Sequence, residues 1–273
     1  MLYTVLGSSG FIGSHLAEHL LQAGHEVYAP QREELGSFER DLGVVIYAVG
    51  LTADFRSRPF DTVRAHVCLL TDILERCRFS SLLYLSSTRV YAGNAAGNED
   101  ARLGVDPQDA SDLYNLTKLT GESICRTCGR GNVKVARLSN VIGDDPASGN
   151  FLFTLIREAL AGQIVLQSHL ESAKDYILID DVIRLLVSIA SDGKQFLYNV
   201  ASGKNLSHQQ VVTTLQQLTG CTVSAAPDLP RFCFPLLSID RIRDEFGFEP
   251  LSVLDRVSTM LSCGENFQKI NNP

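Results

Sequence analysis

The chain has 273 residues, 45% hydrophobic and 20% charged, with a net charge of −7 and a pI near 5.4. That composition suits a globular protein with ample apolar material for a core. The acidic balance, without any basic block, removes the electrostatic footing for nucleic acid. No apolar run reaches the roughly 18 residues a membrane span needs, and no charged start or cleavage site precedes the first apolar stretch, so the expectation is a cytoplasmic protein that begins directly on a strand.

Residues 2–6, Leu-Tyr-Thr-Val-Leu, read as a short buried strand. Gly7-Ser8-Ser9-Gly10-Phe11-Ile12-Gly13 follows, and Ile12, Leu16, His19, Leu20 and Ala23 then recur at helical spacing up to Gly24. His25–Ala29 reads as a second strand. Strand, glycine-rich turn, helix and strand in this order form a dinucleotide-binding unit. One glycine makes the tight turn, one lets backbone approach a pyrophosphate, and one packs helix on strand. Backbone N–H groups at the helix start then face the phosphates. Gly7, Ser9, Gly10, Phe11, Ile12 and Gly13 are the candidate cofactor residues of this turn.

An acid for the adenosine ribose is expected after the second strand. Pro30-Gln31-Arg32 stands there instead. Gln31 cannot be an anionic acceptor, and Arg32 could face a 2′-phosphate. That leans to NADP, while Glu33 and Glu34 lie close enough to leave NAD open. Val44–Gly50 reads as a buried parallel strand, with Ala48, Val49 and Gly50 at its cofactor end. Only about a dozen residues precede it, barely enough for a helix and a strand, so one βα unit of the sheet edge is expected to be truncated or missing.

Val63, Val67, Leu70, Ile73 and Leu74 recur at helical spacing over 60–77. Leu82–Leu85 is a further strand, running into Ser86-Ser87-Thr88-Arg89-Val90-Tyr91. Ligands of open α/β sheets gather beyond the carboxyl ends of strands, so a hydroxyl there is well placed for chemistry. After a loop over 92–110 comes a helix with Ser111 as its expected cap. Tyr114 and Lys118, four apart, share one face of it. A phenol titrates near pH 10 in water, and a neighbouring ammonium favours the phenolate, which would let Tyr114 exchange protons near neutrality.

Val133–Leu138 is another strand and 151–161 another helix. Beyond residue 144 the alternation weakens: a strand at Ile164–Leu166, a helix at Val182–Ala190, a strand at Phe196–Val200 and a helix at Ser207–Thr219 capped by Ser207. A proline-broken loop over 221–236 and short helices over 238–247 and 251–262 follow. The seven cysteines are scattered, and Cys125-Arg126-Thr127-Cys128 lacks a second pair. Reduced thiols are expected, and no metal. The fold class is α/β: a Rossmann-type doubly wound parallel sheet over 1–143, with contributions from 174–200. Residues 144–273 form mostly a smaller C-terminal α/β substrate lobe.

With these residues assembled, the chain resembles the extended short-chain dehydrogenase/reductase superfamily, in its NAD-dependent epimerase/dehydratase branch. The resemblance runs nearly end to end. It rests on Gly7-x-x-Gly10-x-x-Gly13, Ser86–Tyr91, Tyr114-x-x-x-Lys118, Arg137–Gly143, Lys174-Asp175-Tyr176-Ile177 with Asp180-Asp181-Val182, and Tyr198–Gly203. It implies that Ser87 hydrogen-bonds the reacting oxygen, Tyr114 is general acid/base, and Lys118 holds the nicotinamide ribose. Thr88, Asn140, Asn150, Phe151 and Lys174 would contact a nucleotide-sugar substrate, Lys174 standing where the family usually has arginine. Arg231 could add a second charge. A homodimer through helices near 62–77 and 111–127 is implied as well.

Two departures bear on the chemistry. The Asp-Glu pair that a dehydratase of this branch uses is replaced by Thr88-Arg89, so elimination of water is not expected. His66 stands where the family often has asparagine and is expected to be a buried, hydrogen-bonded histidine. The implied function is an NAD(P)-dependent oxidoreductase on a nucleotide-diphosphate sugar, reducing a 4-keto group. A 4-epimerase with tightly bound NAD is the alternative. A non-catalytic NAD(P)-binding sensor is the alternative of another class, against which retention of Ser87, Tyr114 and Lys118 argues.

Overall fold

The computed structural model describes residues 1–31, 34, 40–52, 54–143, 150–232 and 234–262. Its centre is a six-stranded parallel sheet built from β1 (Leu2–Leu6), β2 (Glu26–Tyr28), β3 (Val44–Tyr47), β4 (Ser81–Ser87), β5 (Val133–Leu138) and β9 (Leu197–Val200), in the order β2-β1-β3-β4-β5-β9. These strands read as near-continuous apolar runs because helices cover both faces. On one face α1 (Phe11–Gln22) and α6 (Ile179–Asp192) bury Leu16, Leu20, Val182, Leu186 and Ile189 against Val5, Ile46 and Leu83. On the other, Leu70, Ile73 and Leu74 pack with Leu6, Tyr47, Leu82 and Tyr84.

β1 pairs with β2 on one side and with β3 on the other. Strand order therefore reverses at β1, and a crevice opens above the carboxyl ends of β1 and β3, where ligands of such sheets bind. Among the described residues the three-residue β2 is the edge strand; most of the β2–β3 connection, where a truncated or missing βα unit is expected, lies outside the described residues.

The expected helix over 60–77 is interrupted. α2 (Pro59–Val63) and α3 (Leu69–Arg76) flank a π-helical turn, Arg64–Cys68. The carbonyls of Ala65 and His66 in that turn accept hydrogen bonds from the phenols of Tyr47, at 2.6 Å, and Tyr84, at 3.3 Å. The next helix, α4 (Asp112–Thr127), carries Tyr114 and Lys118. Ser111 does not cap it: its backbone is already helical and its side chain makes no cap bond. Its hydroxyl instead accepts from the Arg56 guanidinium at 2.9 Å.

The rest of the chain forms a second core. A three-stranded sheet, β10-β8-β6, is made of β6 (Asn140–Ile142), β8 (Ala173–Leu178) and β10 (Asn205–Ser207), and β7 (Gln163–Leu166) pairs in parallel with β11 (Thr222–Ala225). α5 (Phe151–Leu160), α7 (His208–Thr219) and α9 (Val253–Ser262) close over them, while α8 (Asp240–Phe246) packs beside β9. Ser207 caps α7 in a reciprocal capping box with Gln210. β11 falls within the stretch expected to be loop. Three of its four residues are exposed and the fourth is only partly buried, and pairing with β7 rather than an apolar pattern makes it a strand. Among the described residues no helix is long and apolar enough to cross a membrane.

Candidate active site

The crevice above β1 and β3 is a cleft of about 580 Å³. Its floor is backbone. Gly7 has φ +87°, a left-handed conformation that disfavours any side chain, and a Cβ on Gly13 would lie 2.2 Å from the Gly7 carbonyl oxygen. Both glycines are required by the chain's own packing. Gly10 differs: its φ is an ordinary −83°, and a Cβ there would meet only the Gly7 oxygen, at 3.4 Å. Nothing in the protein demands glycine at position 10, yet it lines the cleft with Phe11, Ile12 and Gly13 at an α1 start that has no side-chain cap. A bare backbone surface with free N–H donors fits the pyrophosphate of a dinucleotide.

Ala48, Val49 and Gly50 form the adjoining wall. Ser9 and Gln31 are exposed and stand outside the cleft lining. The Gln31 N–H donates to the Glu34 carboxylate at 2.7 Å, which puts an acid at the end of β2 after all. Arg32 lies outside the described residues.

β4 delivers Ser87 to the cleft at its carboxyl end, and the short 3₁₀ turn Thr88–Tyr91 follows, with Ser87 Oγ accepting from the Arg89 N–H at 3.2 Å. α4 packs across β4 and brings Tyr114 beside Ser87 in the lining of the cleft. Lys118, one turn on, donates from Nζ to the Leu85 carbonyl at 2.8 Å and lies 5.9 Å from the Tyr114 ring centroid. The three groups named from sequence thus converge.

Their electrostatics differ from the sequence expectation. Burial pushes the Tyr114 phenol above its usual value, opposed by the Ser87 hydrogen bond and the charge of Arg89. Lys118 is itself drawn down to about 7 by burial, opposed by Glu122. An ammonium held this far from water is only partly charged at neutrality, so Tyr114 stands as a protonated acid.

His66 ties the two sides of the site together. Its Nε2 accepts from the Leu51 N–H at 3.2 Å, beyond β3, so its Nδ1 carries the proton toward Thr117 Oγ1 at 2.8 Å; Thr117 in turn donates to the Tyr114 carbonyl at 2.9 Å. Its ring also meets the Tyr114 ring edge-on at 5.3 Å. Burial, with Lys118 nearby, holds the imidazole neutral down to about 2.

The far wall carries the other expected residues. Thr88, Asn140, Asn150, Phe151 and Lys174 all line the cleft. Asn140 Nδ2 donates to the Asp175 carbonyl at 2.7 Å, Asn150 caps α5 through the Phe153 N–H, and Phe151 stacks on His208 with ring centroids 4.2 Å apart. Lys174 lies over Phe234, its Nζ 5.8 Å from the ring centroid, and burial with the charge of Arg89 lowers its pKa. Arg89 itself lines the cleft, a position sequence reasoning had noted only as a missing acid.

Two arginines near the expected substrate segments are elsewhere. Arg137 is buried on Glu122, its Nη2 2.6 Å from the carboxylate. Arg231 pairs with Glu171 at 2.9 Å and does not line the cleft. Among the described residues no cluster of ligands could hold a metal, and the described cysteines, 68, 77, 125, 128 and 221, are free thiols.

Over residues 3–201 the sequence matches the NAD dependent epimerase/dehydratase family, and the chain belongs to it. Among known proteins it is similar to a UDP-glucose 4-epimerase of Azospirillum brasilense, 24% identical over 90% of this chain and 86% of that one. It is likewise similar to a dTDP-4-dehydro-6-deoxy-D-allose reductase of Streptomyces bikiniensis, 22% identical over 90% of each chain. Among solved structures, MoeE5 in complex with UDP-glucose and NAD superposes with a TM-score of 0.79 at 21% identity, covering 98% of this chain and 100% of that one. That likeness is one of fold.

Proposed function

We propose that the protein is an NAD(P)-dependent oxidoreductase that reduces the 4-keto group of a nucleotide-diphosphate sugar, with Tyr114 as general acid. The observation that carries this reading is the meeting of Ser87, Tyr114 and Lys118 in one cleft with the bare glycine floor at Gly10. When bound, the reduced nicotinamide supplies the hydride. Ser87 Oγ hydrogen-bonds the carbonyl oxygen, and Tyr114 gives that oxygen its proton as the carbon becomes tetrahedral. The tyrosinate left behind regains a proton from solvent. Lys118 orients the nicotinamide ribose. A phenol kept protonated by burial suits a reaction whose first need is an acid.

Gly7, Ser9, Gly10, Phe11, Ile12, Gly13, Gln31, Arg32, Ala48, Val49 and Gly50 are assigned to the dinucleotide, NAD or NADP. Thr88, Asn140, Asn150, Phe151 and Lys174 are assigned to the nucleotide sugar. We propose the same division for the chain: residues 1–143 with 174–200 hold the cofactor, and 144–273 mostly the substrate. A homodimer through α2–α3 and α4 is part of this reading, supported by Phe60, which is 76% exposed at the start of α2.

A 4-epimerase is the second reading, supported by the Azospirillum relative, because the same three groups would also serve a bound NAD that takes the hydride from C4 and returns it to the other face, with Tyr114 removing and restoring the hydroxyl proton. Denaturing the purified protein and identifying the released dinucleotide separates the two. Stoichiometric retained NAD favours epimerase; freely exchanging NADH or NADPH, consumed by a 4-keto nucleotide sugar, favours reductase. Failure to bind any nicotinamide dinucleotide in calorimetry overturns both.

A further inference from the structure

Arg89 is the group in the cleft to which the proposed reaction gives no task. It follows Ser87 by two residues, and its guanidinium carbon lies 5.9 Å from the Tyr114 ring centroid and 5.4 Å from that of Phe55. Its side chain makes one long hydrogen bond, from Nη2 to the Ser111 carbonyl at 3.4 Å, and its Nε is buried with no partner. Among the described residues no carboxylate forms an ion pair with it. Asp112 at the start of α4 and Asp109 just before it are near enough to favour its charge, but their hydrogen bonds go elsewhere: Asp112 accepts from the Asp106 N–H and from Asn115, and Asp109 accepts from the Ser111 N–H.

Arg89 is half-buried, and holding its Nε away from water with no acceptor is costly. Lys174 is a second cation facing the same cleft, and the two repel. They rest on different aromatic platforms, Arg89 on Phe55 and Tyr114, Lys174 on Phe234. Two cations at separate places in one cleft, neither held in an ion pair among the described residues, suit two anionic groups on what fills it. The diphosphate of a nucleotide sugar answers one, at Lys174. The other must lie against Arg89, at the Tyr114 end, where the reacting sugar sits. A planar fork of N–H donors matches a carboxylate.

We propose that Arg89 makes the site selective for a nucleotide sugar whose hexose bears a carboxylate, which the guanidinium grips in a two-pronged hydrogen bond. This rests on the nucleotide-sugar reading above and narrows it.

The test begins by ranking UDP, dTDP and GDP by thermal shift in the presence of NAD. The glucose and glucuronic acid esters of the best nucleotide, which differ only at C6, are then titrated calorimetrically into wild type, Arg89→Met and Arg89→Lys. Wild type is expected to bind the glucuronate at least about tenfold more tightly than the glucose ester, the scale of one charge-assisted hydrogen bond. Arg89→Met should bring the two within about twofold of each other and leave the glucose ester unchanged, and Arg89→Lys should fall between, since charge is kept and the fork is lost. Equal binding by wild type overturns the inference, and so does an Arg89→Met that weakens both esters alike, which would put the guanidinium on the diphosphate. If Arg89→Met does not fold, the wild-type ratio and the lysine variant still decide. Binding of NAD with none of the three nucleotides sinks the substrate reading itself, and the inference with it.

Discussion

The two walls of the cleft are made of different material. The floor over β1 and β3 is backbone: Gly7 in a left-handed turn, Gly13 against the Gly7 carbonyl, Gly10 bare beneath the open space. The opposite wall is side chains: Arg89 and Lys174 on aromatic rings, Asn140 and Phe151 at the rim. Backbone recognition tolerates little change, because an added carbon at Gly7 or Gly13 meets fixed backbone and one at Gly10 would stand in the cleft itself. Recognition by side chains can be rewritten one residue at a time, and a family with many substrates on one cofactor has reason to be built this way.

The sharpest way to break that contrast is at the line where the walls meet. Tyr114→Phe should leave the fold and dinucleotide binding intact and reduce turnover by about 10²–10⁴-fold. Turnover measured alongside cofactor calorimetry checks it, and unchanged turnover would remove the acid role. Next come the glycines. Gly13→Ala places a carbon 2.2 Å from a backbone oxygen and should cost about 1–3 kcal/mol or more in urea unfolding. Gly10→Ala should hold stability within about 0.5 kcal/mol, as a substitution away from packing does, yet weaken dinucleotide binding. Equal stability losses at the two positions would show that the floor is only a tight turn.

A more gradual effect concerns pH. His66 stays neutral in the folded protein down to about 2, whereas an unfolded histidine takes a proton near 6.5. Folding stability from this group is complete above pH 6.5 and declines as pH falls below it, by up to about 1.4 kcal/mol per pH unit. His208, depressed to about 4 by burial with Lys174 nearby, adds to the slope in the same direction. His66→Asn should be less stable at pH 8 and show a flatter decline between pH 6.5 and 5 in urea midpoints. An unchanged slope would place the acid sensitivity elsewhere.

What could be read in the sequence follows the same division. Gly7 and Gly13 announce themselves because backbone geometry excludes other residues, Gly10 because its spacing completes the turn, and Tyr114 with Lys118 because four residues of helix set their distance. Arg89 could not be read, since its meaning lies in the partners it lacks, and absence leaves no local pattern. Ser111 was misread as a cap because a serine before a helix usually is one, while here Arg56, distant in sequence, claims its hydroxyl. The expected tyrosine–lysine electrostatics erred in the same way: spacing shows proximity but not burial, and burial reverses the direction. β6, β10 and β11 were too short to show any alternation.

A buried network pins α4 in place. Glu122 accepts from Arg137 and from Ser86, Arg137 donates to the Tyr91 phenol, and Tyr91 donates to Asn199 on β9, all beneath the surface. A charge pair sealed in this way cannot be pried apart locally without stranding an ion in oil. The helix that bears Tyr114 therefore has no cheap route to fraying near its middle, and its central amides should exchange with deuterium only when the whole molecule opens.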